Sequence, residues 1–254
     1  NAPLNTSFQS NGGFTSKLFG KKFGGTFGIM YNRSFRNLDL LNRANVIDEN
    51  TYEVSIVSSY NDRKYQQEIS AGALGSVSLQ LNSFNKISVK SILNINSSNS
   101  VSQRNGEDFS RQDQLKGSEF TFKQNTFFTV QANGEHRLIK PLTFKWYGAF
   151  NILDGHIPDQ RRILYSKEAG TQHPYRLLIS NTLSQQSGSR IYQSLSDYIY
   201  TAGGDLSYKF KWLEQNQTLK GGYMLQVKDR LYDAKLFANY LPLDNDALRL
   251  LPAD

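Results

Sequence analysis

The 254-residue chain contains no cysteine. That excludes a disulfide framework, a thiolate metal site and a cysteine nucleophile. An oxidising compartment is not excluded, because the chain simply takes no stability from one. Histidine is nearly as scarce, at three residues, and proline numbers six. No stretch reaches the roughly 18 consecutive apolar residues of a transmembrane helix, and no charged-then-apolar leader opens the chain. Charged residues are 20% of the total, and no run of five or six basic residues occurs. The net charge of +7 therefore reads as a scattered solvated surface rather than a nucleic-acid stripe.

Aromatics are plentiful, with 16 Phe and 14 Tyr. Such a composition opposes disorder and suits a pleated, half-buried surface. Mean hydropathy is −0.53, a value typical of soluble proteins. One membrane class escapes that inference, because a β-barrel turns only alternate residues toward lipid.

Period-two alternation runs through the chain. Odd positions are apolar or small in Phe23–Tyr31, Ile69–Leu81 and Ile87–Ile95. Even positions take over at Phe120, Phe122, Phe128 and Val130, then from Leu142 to Ile152 and from Tyr198 to Trp212. Odd parity returns at Leu219, Tyr223, Leu225 and Val227. With a first strand near Thr6 to Phe19, about eight strands are expected. Glu68, Lys90, Glu119, Lys123, Lys145, Asp205, Lys209 and Lys220 all fall on the polar parity of their strands. A lysine facing lipid at the bilayer midplane costs about 2–4 kcal/mol, so that consistency has a physical reason in a membrane wall. Gln124 breaks the alternation and is expected beyond the apolar band or beside a bulge.

Turn signals at Gly20-Lys21-Lys22, 82–86, 138–141 and 213–217 alternate with long polar connections around 38–60, 103–116 and 154–197. Aromatics gather beside the short turns (Phe23, Phe84, Phe144, Trp146, Phe210, Trp212) and again at Tyr31, Phe35, Tyr198 and Tyr200. Tight turns, large opposite loops and aromatic girdles belong together in outer-membrane barrels. A soluble sandwich explains the alternation but not this polarity. Runs such as Tyr60–Leu81 and Leu115–Arg137 exceed a bilayer crossing and suit a large barrel with external structure.

Sites of chemistry are few. His136, His156 and His173 invite a metal or catalytic reading, yet His156, Asp159 and Ser166 fall in one long loop without a nucleophile elbow. Gly13 to Lys22 lacks the phosphate-loop spacing. No cofactor is implied. Asp159, Arg161 and Arg162 are candidate loop residues, either gripping an anion or sugar hydroxyl or bracing the loop, with bracing the ordinary role.

Several stretches then resemble one family in order. They are Leu74–Leu81 leading into Asn85-Lys86-Ile87-Ser88-Val89-Lys90, Gly134-Glu135-His136, Ile157-Pro158-Asp159-Gln160-Arg161-Arg162, Asp205-Leu206-Ser207-Tyr208, Leu219-Lys220-Gly221-Gly222-Tyr223 and Lys228-Asp229-Arg230. The chain resembles the barrel of TonB-dependent outer-membrane receptors of Bacteroidetes, related to SusC-type transporters. The resemblance implies a 22-stranded barrel with an N-terminal plug and a TonB box, none of which lies in this chain. It also implies import of a glycan, siderophore or peptide-class nutrient, without enzymatic activity. The expected fold is all-β, an antiparallel up-and-down meander of about eight long strands forming a curved part of a larger barrel wall. Residues 1–254 are expected to be one internal barrel segment, without plug or C-terminal strands. Lys90, Lys123, Lys145, Asp205 and Lys209 are the expected lumen-facing set. Expected partners are the plug, the remaining strands, the bilayer, TonB and a surface lipoprotein, and no nucleic acid. The alternatives are a passive porin or structural barrel protein, a barrel-embedded hydrolase and a soluble sugar-binding sheet.

Overall fold

The computed structural model describes residues 3–179, 187–241 and 245–250. The order is β1 (Thr6–Leu18), β2 (Lys21–Ile47), β3 (Val54–Asn82), β4 (Asn85–Asp108), β5 (Asp113–Ile139), β6 (Leu142–Glu168), β7 (Arg176–Leu177), β8 (Ser189–Trp212), β9 (Gln215–Ala238) and a helical turn α1 (Asp246–Arg249). All nine strands form one antiparallel meander, β1-β2-β3-β4-β5-β6-β8-β9, with the short β7 pairing only β6. The sheet does not close, and β1 and β9 are its two edges.

Four tight turns, at 19–20, 83–84, 140–141 and 213–214, define one end. At 19–20 and 213–214 both residues have positive φ, the twist that lets a two-residue hairpin follow the right-handed strands. The opposite connections are shorter than expected. Strands continue through most of 38–60, 103–116 and 154–197, leaving links at 48–53, 109–112 and 169–188, of which 180–186 lie outside the described residues. The apolar signal fades there, but backbone pairing does not need it. Polar cross-strand pairs continue the ladder instead.

Registry explains the parity changes. Cross-strand partners share a face. β2, β3 and β4 pair odd with odd, as in Phe27↔Gly75 and Leu79↔Ile87. The β4–β5 register pairs odd with even, as in Ile87↔Gly134. Even parity then holds through Phe150↔Tyr200, and Tyr200↔Val227 restores odd parity in β9. Every apolar run therefore lies on one face.

Gln124 is resolved on both counts. It pairs with Ser97 and His156 just past the apolar residues, and it ends a register irregularity that begins at Phe120. The matching irregularity between β6 and β8 lies at Ile157/Gln160. Between these paired points β6 carries one residue more than either neighbour, at Pro158-Asp159. Proline has no N–H for a ladder, so a bulge is where it is tolerated.

Candidate functional site

The apolar face carries a band about nine to eleven residues tall, close to the strand length that crosses a bilayer. It runs from Phe23 to Tyr31, Ile69 to Leu79, Ile87 to Ile95, Thr126 to Gly134, Phe144 to Ile152, Tyr198 to Tyr208 and Leu219 to Val227. No charged side chain interrupts it on that face. Ring pairs reinforce it: Phe14–Phe23 at 5.5 Å, Phe150–Tyr200 at 5.1 Å and Tyr208–Phe210 at 6.0 Å between centroids. Near the tight turns, Trp146 Nε1 donates to His136 Nε2 at 3.0 Å, and His136 Nδ1 meets Asn85 Oδ1 at 2.7 Å. His136 is thus a strand residue tied to an aromatic girdle. His156 also lies on a strand, β6, while His173 lies in the 169–188 connection. Among the described residues no group of three or more His, Cys, Asp or Glu could hold a metal.

The opposite face is polar. Lys90, Lys123, Lys145, Asp205 and Lys209 share it, as their cross-strand partners show. Lys145 pairs across the sheet with Asp205 and makes an ion pair with Glu135 at 3.3 Å. At mid-height Asp197, only 1% exposed, takes a bidentate grip from Arg230 at 2.6 and 2.7 Å and a third contact from Lys228 at 3.0 Å. On β2–β4 a small apolar patch, Met30, Leu74 and Ile92, lines a hollow of about 150 Å³.

A further feature lies on the polar face, well above the band. It is a concavity of about 480 Å³ lined by Tyr60, Asp62, Arg104, Leu115, Glu119 and Arg162, among others. Arg104 forks onto Asp62 with two 2.7 Å bonds and lies 4.7 Å from the centre of the Tyr60 ring. Tyr60 donates to Asp108 at 3.4 Å. Arg162 holds Glu119 at 2.5 Å, while Gln160 and Thr121 donate to the same carboxylate. Burial pushes the Glu119 carboxyl up, but the Arg162 bond and charge together with Gln160 and Thr121 outweigh it, so its pKa is lowered. Gly117 permits the close β5–β6 approach beside this hollow, since a Cβ there would sit 2.4 Å from the Ile163 carbonyl oxygen.

The expected loop residues are not in a loop. Asp159, Arg161 and Arg162 lie in β6, because the strand continues through a bulge that a scan for alternation cannot follow. The bulge also divides them. Arg162 reaches Glu119 on the polar face, while Arg161 pairs across the sheet with Arg190. Asp159 bridges those two arginines, at 2.6 Å from Arg161 Nε and 2.7 Å from Arg190 Nη2. The bulge thus leaves Arg161 paired with Asp159 and Arg162 with Glu119, the two arginines on opposite faces. Tyr60, Asp62, Arg104 and Arg190 were not singled out by sequence. Carrying the strand parity of Lys90 upward to Arg104 would have placed Arg104 on the polar face.

No protein-family model, curated protein or solved structure matches the chain. The chemistry of the two faces therefore carries the functional reading.

Proposed function

We propose that this chain is a wall segment of an outer-membrane β-barrel receptor, of the TonB-dependent class, that imports a nutrient. The observation that carries the reading is the uncharged apolar band, one bilayer crossing tall, on one face of eight long strands whose other face is polar. A lipid-facing outside and a solute-facing inside require that asymmetry. The strands overshoot the band, which supports an external structure above the membrane, and the 480 Å³ hollow then lies on the inner wall near its outer mouth. That volume falls within the range of small-molecule sites, about 300–1,000 Å³. No catalytic arrangement is needed for import. The open edges β1 and β9 suit continuation by further strands, and a plug and TonB would be partners of the whole receptor.

Lipid exposure is tested by paired substitutions at mid-band. Leu93 lies on the apolar face and its neighbour Asn94 on the other. Leu93→Arg is expected to cost about 2–4 kcal/mol in urea-dependent folding into vesicles, and Asn94→Arg much less. Equal costs would refute a membrane wall. Energised import is tested in cells carrying the receptor: uptake should stop when TonB is deleted. Uptake that persists would favour a passive porin.

A further inference from the structure

We propose that the turn-side part of the polar face is an oxyanion-binding wall, suited to solutes that carry several phosphate or carboxylate groups. This rests on the reading of that face as solute-facing. One cross-strand row crosses the whole sheet there: Lys17↔Lys22↔Gln80↔Lys86↔Glu135↔Lys145↔Asp205↔Gly222. Its two acids both lie on the β5–β8 side, and Glu135 turns its ion pair toward Lys145. On the β1–β4 side, Lys17, Lys22 and Lys86, with Lys90 two rows higher, share the face with no carboxylate at that height. None of these four makes an ion pair among the described residues.

Lys17 and Lys22 stand directly opposite one another, an arrangement that destabilises a bare sheet. Neighbouring strands are about 4.8 Å apart, so Lys22 and Lys86, two strands apart, are separated by about 10 Å. A multivalent anion can bridge such spacing. Between the lysines the wall is lined by small residues, among them Gly24, Thr15, Ser78, Ser88 and Ser76. They leave room for a solute to approach and supply hydroxyl donors to its oxygens. Lysine is a common point-charge partner for phosphate, and rings of lysine or arginine select anions in pores. Charge complementarity thus favours an anionic solute over a neutral one on this part of the wall.

The 254-residue chain, refolded in detergent micelles, is titrated calorimetrically with inorganic tripolyphosphate, with maltotriose as the uncharged arm. Tripolyphosphate should bind, weaken as salt is raised, and bind at least about tenfold more weakly to Lys22→Gln/Lys86→Gln. Arg43→Gln/Arg63→Gln removes the same formal charge from the opposite face and should keep binding. Equal loss in both double variants, comparable binding of maltotriose, or no binding by the unaltered chain would overturn the proposal. Should Lys22→Gln/Lys86→Gln lose its far-ultraviolet β-signal, the single variant Lys90→Gln, expected to bind more weakly, replaces it. Vesicle insertion is followed in parallel by protease protection. Failure to insert sinks the membrane-wall reading alone, whereas insertion without anion binding sinks only this inference.

Discussion

Glu119 is the carboxylate on which the upper polar face is most tightly knotted, since Arg162, Gln160 and Thr121 all converge on it. Its folded pKa lies below the ordinary 4.5. The stability it contributes is therefore complete above that value and is lost as pH falls through the lowered folded pKa. Hydrogen-exchange protection at the upper ends of β5 and β6, taken relative to the intrinsic exchange rate at each pH, should fall as the pH drops below about 4.5. Glu119→Gln should cost about 1–2 kcal/mol at neutral pH and remove most of that acid response. An identical acid response in the variant would show that another group governs it. Gly134 makes a second residue-scale case. A Cβ there would lie 2.1 Å from Trp146 Nε1 and 2.8 Å from His136 Nε2, so an alanine must displace the indole from its histidine. With only two tryptophans in the chain, Trp212→Phe isolates the Trp146 emission. Gly134→Ala in that background should shift the emission and destabilise by about 1–2 kcal/mol, the range for a disrupted buried hydrogen bond. Unchanged emission would mean that the indole has room to yield.

At the scale of elements, β6 is the strand that does most to arrange the upper wall. Its extra residue at Pro158-Asp159 reverses which parity faces each way, so that Arg162, rather than Arg161, meets Glu119. A one-residue slip moves every following side chain to the other face. The bulge absorbs one such slip, so deleting Pro158 should let β6 pair evenly with both neighbours and leave Arg162 opposite Glu119. A double-mutant cycle on Arg162 and Glu119 checks this: about 1 kcal/mol or more of coupling is expected both in the intact chain and after the deletion. Coupling that vanishes would show that the bulge itself, and not the register, aims Arg162 at Glu119. The same bulge marks the limit of what the sequence made legible. Below it, apolar–polar alternation located the strands, the tight turns and the side of charges such as Lys90 and Lys145, because apolar and polar residues there have opposite physical requirements. Above it both faces are polar, the alternation carries no hydropathy contrast, and the long strands read as loops. The Arg104–Asp62 and Arg162–Glu119 pairs link residues more than 40 positions apart, so their contacts depend on register, which local spacing does not encode. His136 shows the same limit, since its partners Asn85 and Trp146 come from two neighbouring strands.

For the molecule as a whole, the sheet has two faces of opposite character and two unpaired edges. Among the described residues no layer packs against the face covered by the uncharged band, and residues such as Phe27, Tyr200 and Leu225 are each more than half exposed. β9 is exposed along nearly its full length, from Gln215 to Ala238, and β1 offers a second free row of backbone donors and acceptors. Long flat edges of this kind pair with whatever strand they meet. Eight strands could close only at a tilt and shear suited to that number, and here they form an open sheet. The 254-residue chain on its own should therefore self-associate through β1 and β9, and a bilayer or detergent should be required to cover the apolar face. Sedimentation in detergent should show species larger than the monomer, and removal of detergent should precipitate the protein. A monodisperse, detergent-free monomer would contradict both the proposed lipid contact of the apolar band and the open edges, and would return the chain to the class of soluble sheets. A monomer in detergent that still needs detergent would contradict only the open edges, as expected if the eight strands close upon themselves in solution.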